Sequence, residues 1–215
     1  MLECKINVKD PVVFVVDDDA GLRAALCDLL ASLGLRAIGC ATATAFLAMQ
    51  KPESPSCLVL DMELPDINGL DLQRRISDGY HPPIIFVTGN GDVRASVRAI
   101  KAGAIDFLTK PFSTHDLMAA IDAAILQDIE VRRAGAEFTQ LRQRFSCLTR
   151  REREVLPLVV GGLLNKQSAA RLGISETTLQ IHRSRVMRKM EARSLAQLVR
   201  MAGKLSVPLP QAKAF

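Results

Sequence analysis

The first half of the chain carries side chains that could together hold a metal ion and a phosphoryl group. Each member of this set follows a short apolar segment, and the set comprises Asp17, Asp18, Asp19, Asp61, Thr88 and Lys110. Clustered carboxylates repel one another unless a hard cation lies among them, and Mg²⁺ takes oxygen ligands of this kind. A lysine and a hydroxyl beside such a cation would have an anion to hold, most simply a phosphoryl group.

The apolar segments before these residues alternate with amphipathic stretches of helical periodicity. The predicted strands are Val12–Val16, Leu35–Cys40, Cys57–Leu60, Ile84–Val87 and Ile105–Thr109. Strands that alternate with helices predict an α/β fold with a doubly wound, five-stranded parallel sheet, in which chemistry occurs at the carboxyl ends of the strands. The polar residues above would therefore converge at one edge of the sheet.

Taken singly, each of these residues has an ordinary structural explanation. The segment Asp17–Asp19 could form a turn that caps the following helix, and Lys110 could be a solvent-exposed lysine. Their combined placement after the appropriate strands makes coincidence a poor explanation. The sequence therefore favours a site.

The charge of the chain is divided unevenly along its length. Residues 1–125 contain 11 lysines and arginines and 16 acidic residues, whereas residues 146–215 contain 13 and 4; the whole chain has a formal charge of +5. A basic segment joined to an acidic one indicates a nucleic-acid contact made by the second half alone. A solvated basic face is the alternative.

Composition narrows the class of protein further. Hydrophobic residues make up 48% of the chain and charged residues 24%, which is typical of globular domains rather than fibrous or disordered chains. We predict no membrane-spanning segment and no signal peptide, because no apolar run is long enough and no basic segment precedes one. The five scattered cysteines are typical of reduced thiols, so we expect a cytoplasmic protein.

The second half is predicted to be entirely helical. A long helical pattern, either one helix or two end to end, runs from Ser113 towards Phe145, and its apolar stripe could pair with a second copy. Thr149 and Glu152 form a capping-box pattern, and the turn at 173–175 separates two helices as in a helix-turn-helix. We therefore divide the second half into a helical linker (126–145), a helix-turn-helix domain (146–204) and a flexible tail (205–215).

Residues 10–125 resemble a receiver domain of two-component signalling. The motifs that carry the resemblance are Val15–Asp19, Asp61–Gly69, Val87–Gly89 and Lys110–Phe112. Residues 146–204 resemble the DNA-binding output domain of the LuxR/NarL/FixJ class. There the matching segments are Leu148–Glu152, Asn165-Lys166, Ile174-Ser175 and the stretch from His182 to Met190.

The receiver resemblance implies a role for each residue at the sheet edge. Asp61 would accept a phosphoryl group from a sensor histidine kinase, Thr88 and Lys110 would bind its oxygens, and Phe107 would be the aromatic switch residue. The metal ligands implied for Mg²⁺ are Asp17, Asp18, Asp61 and the backbone carbonyl of Glu63. The resemblance also implies a cis peptide before Pro111. Glu63 itself departs from the arginine or methionine common in relatives.

The output-domain resemblance implies that the helix beginning after Ser175 enters the major groove. Gln180, Ile181 and Ser184 would face base edges, where a glutamine can bond adenine and an apolar side chain can contact a thymine methyl group. The residues expected to contact mainly phosphates are Lys166, Thr178, Arg183, Arg185, Arg188 and Lys189.

The function implied is that of a phosphorylation-dependent transcription regulator. Phosphorylation would drive homodimerisation, and the dimer would bind promoter DNA, with RNA polymerase as a further partner and no membrane partner. The receiver would catalyse only its own phosphorylation and dephosphorylation, so the protein would not be a conventional enzyme.

Two other functions are compatible with parts of the sequence. An aspartate-nucleophile (HAD-like) phosphohydrolase would use Asp17 as nucleophile and Asp19 as acid/base, but it leaves Asp61 and the basic domain without a role. A DNA-binding protein whose receiver serves only for dimerisation would leave the intact acidic set unexplained.

Overall fold

Strands and helices alternate in the first half of the chain, and helices alone make up the second. The computed structural model describes residues 10–77, 79–89 and 93–208. The elements are β1 (Val12–Val16), α1 (Ala20–Ser32), β2 (Arg36–Cys40), α2 (Ala43–Ala48), β3 (Ser56–Asp61), α3 (Gly69–Ile76), β4 (Ile84–Thr88), α4 (Val93–Lys101), β5 (Asp106–Thr109), α5 (Thr114–Ser146), α6 (Arg150–Val160), α7 (Asn165–Leu172), α8 (Glu176–Lys189) and α9 (Leu195–Lys204).

The five strands form one parallel sheet in the order β2-β1-β3-β4-β5. This confirms the doubly wound α/β fold predicted from the sequence. Strand β3 extends one residue further at each end than predicted, so that Asp61 is its last residue. Since β1 pairs with β3 in the register Val16↔Leu60, the residues that follow these two partners lie side by side at the carboxyl edge.

Both faces of the sheet are covered, which explains the continuous apolar runs. Alternate residues of β1 divide between two cores, with Phe14 in one and Val13 and Val15 in the other. All residues of β1, β3 and β4 are buried. Burial of these side chains on two opposite faces is the main term that stabilises such a sheet.

Helix α5 is a single helix of 33 residues. Its apolar stripe packs within the chain: Ile121 lies in the core beneath the sheet, and Leu141 and Phe145 belong to the core of the helical domain. Between these ends, Ile125 and Ile129 of the predicted stripe are only half-buried, so pairing of the stripe with a second copy stays a prediction.

The described chain forms two units that divide after Arg132. The division lies inside the segment that the sequence assigns to a linker. The buried carboxylate of Asp128 accepts hydrogen bonds from the Ser56 N–H (2.7 Å), the Tyr80 hydroxyl (2.5 Å) and Arg132 Nε (2.7 Å). These contacts fasten α5 to the first unit beyond residue 125.

The second unit packs its helices around a single apolar core that includes Leu156, Leu179, Val186 and Met190. The capping box at the start of α6 is present as predicted. Gly173 ends α7 with φ of 64°, a left-handed conformation that glycine adopts without strain, and α8 begins after the Ser175 cap. Helices α7 and α8 thus form the predicted helix-turn-helix.

Three further sequence expectations concern the C-terminal tail, the cysteines and membrane-spanning segments. Most of the predicted tail, residues 209–215, lies outside the described residues, as does Cys4. The four described cysteines, Cys27, Cys40, Cys57 and Cys147, are free thiols. Along the described ranges, no helix combines the length and hydropathy that crossing a bilayer requires.

Candidate functional site

Three carboxylates meet at the carboxyl edge of the sheet. Asp17, Asp18 and Asp61 each offer an oxygen, and these atoms lie within 4.8 Å of one another. Asp17 and Asp61 are 2% and 7% exposed, and Asp18 is open to solvent. The convergence predicted from the strand ends is therefore observed, because β1 and β3 are neighbours in the sheet.

The ammonium group of Lys110 binds two of these acids. Its Nζ lies 2.8 Å from Asp17 Oδ2 and 2.7 Å from Asp61 Oδ2. Burial alone would lower the pKa of Lys110, but the hydrogen bonds to Asp17 and Asp61 outweigh it and raise that pKa. Since one ammonium faces three carboxylates, the cluster keeps an excess of negative charge.

The loop that follows β3 is closely packed around Asp61. The Glu63 N–H donates to Asp61 Oδ1 (3.1 Å), and the Gly69 N–H donates to the Met62 carbonyl (2.9 Å). A Cβ atom at Gly69 would lie 2.8 Å from the carbonyl oxygen of Asp61. A side chain at position 69 would therefore displace the backbone of Asp61.

Asp19 has a different role from its two neighbours. Its Oδ1 caps α1 by accepting from the Gly21 N–H (2.8 Å) and the Leu22 N–H (3.1 Å). These two bonds lower the pKa of the Asp19 carboxyl. The capping explanation considered for 17–19 is thus correct for Asp19, whereas Asp17 and Asp18 belong to the carboxylate cluster.

Thr88 and Phe107 lie on the two strands at the other side of the site. Thr88 is the last residue of β4 and is 1% exposed, and its carbonyl accepts from the Lys110 N–H (2.7 Å). The half-buried ring of Phe107 on β5 lies 6.4 Å, centroid to centroid, from the ring of Phe86. The peptide bond between Lys110 and Pro111 is cis, as the sequence predicts.

Sequence reasoning did not identify Arg23 as part of this edge. Its guanidinium group, on α1, donates to the carbonyl oxygens of Asp17 (2.6 Å) and Asp18 (3.3 Å). Arg23 thereby fixes the backbone that carries two of the clustered acids. Its place one turn into the helix after the aspartates is the only signal for this role in the sequence.

The second candidate site is the outer face of α8. Five predicted DNA-contacting side chains of α8 are exposed, namely Gln180, Ile181, Ser184, Arg185 and Arg188. Lys166, a sixth predicted contact near the start of α7, is exposed as well. Leu179 and Val186, on the inner face, are fully buried. The helical periodicity therefore presents the predicted residues to solvent.

The remaining three predicted DNA contacts have partners within the unit. Thr178 shares the Ser175 cap, with 2.8 Å between their hydroxyl oxygens, and Arg183 Nη1 donates to Asn165 Oδ1 at 3.1 Å. Lys189 Nζ lies 2.7 Å from the buried carboxylate of Glu152. A phosphate contact by Lys189 would have to compete with this ion pair.

Comparison with known proteins matches both units to families. The response regulator receiver domain matches residues 13–122, and the bacterial regulatory proteins of the luxR family match residues 146–202. The chain belongs to the response regulators. It joins a receiver domain to a luxR-type helix-turn-helix, as the sequence resemblance implied, and is a phosphorylation-dependent DNA-binding transcription regulator.

Relatives resemble this response regulator along most of its length. Nodulation protein W of Bradyrhizobium diazoefficiens is 45% identical over 197 residues, covering 91% of this chain and 87% of that protein. Transcriptional regulatory protein FixJ of Rhizobium meliloti is 40% identical over 194 residues, covering 90% and 95%. Among solved structures, response regulator StyR has a TM-score of 0.79 at 46% identity and covers 91% of this chain and 100% of its own.

The phosphohydrolase alternative is wrong. The family comparison assigns both halves of the chain to a response regulator rather than to a classical enzyme. The structure provides a physical reason as well, since the Asp19 carboxylate required as acid/base caps α1.

Proposed function

We propose that Asp61 accepts a phosphoryl group from the phosphohistidine of a sensor histidine kinase, with Mg²⁺ bound beside it. The supporting observation is the convergence of three carboxylates, whose oxygens lie within 4.8 Å of one another, with Lys110 bound to two of them. Hard oxygen donors with excess negative charge fit this cation. Its ligands would be Asp17, Asp18, Asp61 and the carbonyl of Glu63, and the bound ion would offset negative charge on the transferring group.

The residues of the site divide the transfer between them. A carboxylate oxygen of Asp61 forms the new bond to phosphorus as the bond from phosphorus to the kinase imidazole breaks. Lys110, already 2.7 Å from Asp61 Oδ2, neutralises a phosphoryl oxygen, and the Thr88 hydroxyl donates to another. The receiver catalyses this step and the later hydrolysis only on its own side chain.

Phosphorylation then changes the surface that includes α4 and β5. Attraction of Thr88 towards the new phosphoryl group opens space for the ring of Phe107 to turn inward. Helix α4 exposes Val93, Val97 and Ile100, which share one side of the helix. Exposed apolar side chains of this kind support homodimerisation through the rearranged surface.

The dimer binds promoter DNA through its two copies of α8. Gln180, Ile181 and Ser184 contact base edges, and the predicted basic residues together with Thr178 contact the backbone, with the smallest share expected from the paired Lys189. RNA polymerase is a further proposed partner. We place the protein in the cytoplasm, because both the proposed phosphohistidine donor and the promoter DNA are found there.

Intact-mass spectrometry after incubation with a small phosphodonor tests the first step. We expect a single phosphoryl adduct on the wild-type chain, no adduct on Asp61→Asn, and no adduct when Mg²⁺ is chelated. Asp71→Asn, which removes an exposed carboxylate from α3, should behave as the wild type. An adduct that persists on Asp61→Asn would place the acceptor elsewhere and refute the proposal.

A second experiment connects the adduct to DNA. Sedimentation of the phosphorylated chain should show a dimer, and its affinity for operator DNA should fall steeply as salt increases. Arg185→Ala should reduce this salt dependence, because one phosphate contact is removed. Equal DNA affinity with and without the adduct would show that DNA binding does not depend on phosphorylation of Asp61.

A further inference from the structure

Asp66 joins the loop after β3 to the start of α2. Its Oδ1 accepts from the Ala43 N–H (3.2 Å), and its Oδ2 accepts from the Thr44 N–H (2.8 Å) and the Thr44 hydroxyl (2.7 Å). The Thr44 hydroxyl, followed by the Thr44 N–H, lowers the pKa of Asp66, so this carboxylate is charged at neutral pH. Three hydrogen bonds to one carboxylate make a strong local link.

The start of α2, to which Asp66 binds, is connected through β2 to Asp17 of the carboxylate cluster. Helix α2 follows β2, and the carbonyl of Cys40 at the end of β2 accepts from the Asp17 N–H at 3.2 Å. The side chain of Thr42 caps α2 by accepting from the Ala45 N–H. Asp66 therefore ties the loop that follows Asp61 to the segment that contacts the Asp17 backbone.

The loop between Asp61 and α3 is held by core packing of Met62, Leu64 and Ile67 and by side-chain hydrogen bonds. Residues 62–68 form neither helix nor strand. Gly69 fixes the base of the loop through its bond to Met62, and Asp66 fixes the tip. A loop that is ordered before it binds a ligand pays less conformational entropy on binding.

We propose that Asp66 is a positioning residue that holds the β3–α3 loop so that the Glu63 carbonyl converges on one cation with Asp17 and Asp61, which the pairing of β1 with β3 already places side by side. This inference rests on the proposed Mg²⁺ site. Asp66 touches neither the cation nor the phosphoryl group in this assignment. It acts by holding the loop that contains Glu63 against the start of α2.

Calorimetric titration of the full chain with Mg²⁺ alone tests the role directly. Loss of an outer partner of a metal site weakens affinity by about tenfold or more, so we expect Asp66→Ala to weaken Mg²⁺ binding by about tenfold. The Mg²⁺ concentration for half-maximal phosphoryl uptake should rise in parallel, while the rate at saturating Mg²⁺ stays close to that of the wild type.

Two further variants separate positioning from charge and from folding. Asp71→Ala removes a nearby carboxylate of α3 that pairs with Arg74 rather than α2, and it should leave Mg²⁺ affinity unchanged. Thr44→Val removes only the hydroxyl donor and should weaken affinity in the same direction by less, which keeps the test open if Asp66→Ala does not fold.

The outcomes discriminate between the inference and the site on which it rests. Wild-type affinity in Asp66→Ala and Thr44→Val would overturn the positioning role while leaving the Mg²⁺ site in place. Equal weakening by Asp66→Ala and Asp71→Ala would also overturn it, because long-range charge would then be the cause. A wild-type chain that binds no Mg²⁺ would refute the metal site itself.

Discussion

Two lysines of this response regulator bind buried carboxylates, and they differ in how much negative charge they face. Lys110 contacts Asp17 and Asp61, and Asp18 lies in the same cluster. Lys189 contacts Glu152, which is 2% exposed. The Lys189 pair is balanced in charge, whereas the Lys110 cluster has two carboxylates in excess.

This difference distinguishes a structural pair from a functional cluster. In the balanced pair, Glu152 also accepts from the Thr149 N–H at 2.8 Å, so the carboxylate completes the cap of α6 and serves the fold. The unbalanced cluster keeps its charges close without full compensation, which is unfavourable in the absence of a ligand. Such stored repulsion is expected where a cation and a phosphoryl group are to be bound.

Removal of the cation from the balanced pair should produce the largest effect on stability. Lys189→Met leaves the Glu152 carboxylate buried without its partner, and we expect the C-terminal unit to lose about 3 kcal/mol of unfolding free energy. Hydrogen exchange measured on peptides from 146–208 reports this loss. The receiver peptides should exchange as in the wild type.

Arg188→Met provides the matched control for Lys189→Met. Arg188 is the exposed neighbour on the same helix and is a predicted phosphate contact. Its replacement should leave hydrogen exchange unchanged and weaken DNA binding. Protection that is equally low in both variants would show that the Glu152–Lys189 pair adds no stability of its own.

Acidification should weaken the same pair without a mutation. Burial alone would raise the pKa of Glu152, but the bonds from Lys189 and Thr149 lower it below its ordinary value of 4.5. A carboxyl group with a depressed pKa in the folded state stabilises the protein above its unfolded pKa, and this contribution is lost as the pH falls through the folded value.

We therefore expect the C-terminal unit to lose about 1.5 kcal/mol as the pH falls below about 4.5, by the measure of a charge-assisted hydrogen bond. Hydrogen exchange of α6 peptides at several pH values, corrected for the intrinsic rate, measures the change. Glu152→Gln should remove most of this pH dependence. A profile that is identical in Glu152→Gln would assign the effect to other carboxyl groups.

The sequence predicted the receiver site more completely than its supporting contacts, and the reason is geometric. Asp17 and Asp61 follow apolar runs, and neighbouring parallel strands place their carboxyl ends at one edge whatever the details of the side chains. The exposed residues of α8 followed from helical periodicity in the same manner. These positions depend on the backbone alone.

Side-chain partners across long separations could not be predicted in this way. Lys189 looked like its basic neighbours on α8, and only the fold brings it to Glu152, 37 residues earlier in the chain. Asp66 and Thr44, which are 22 residues apart, meet through the packing of α2 beside the β3–α3 loop. The periodicity of either segment contains no information about such a contact.

The smallest expected effect has the opposite sign and tests the excess charge directly. Asp18→Asn removes an exposed carboxylate from the unbalanced cluster, so repulsion with Asp17 and Asp61 falls. Because exposed charges interact by less than about 1 kcal/mol, we expect the receiver unit to gain about 0.5 kcal/mol when Mg²⁺ is chelated.

Saturating Mg²⁺ should reverse this order of stability, since the wild type keeps the proposed Asp18 ligand that Asp18→Asn lacks, and an ion that binds the folded state stabilises it. Hydrogen exchange of receiver peptides with and without Mg²⁺ measures both signs in one molecule. Asp19→Ala is the control, because it removes the cap of α1 and should destabilise the receiver under both conditions. If Asp18→Asn instead destabilises the chelated protein, the carboxylates do not repel one another, and excess charge no longer separates the Lys110 cluster from the Lys189 pair.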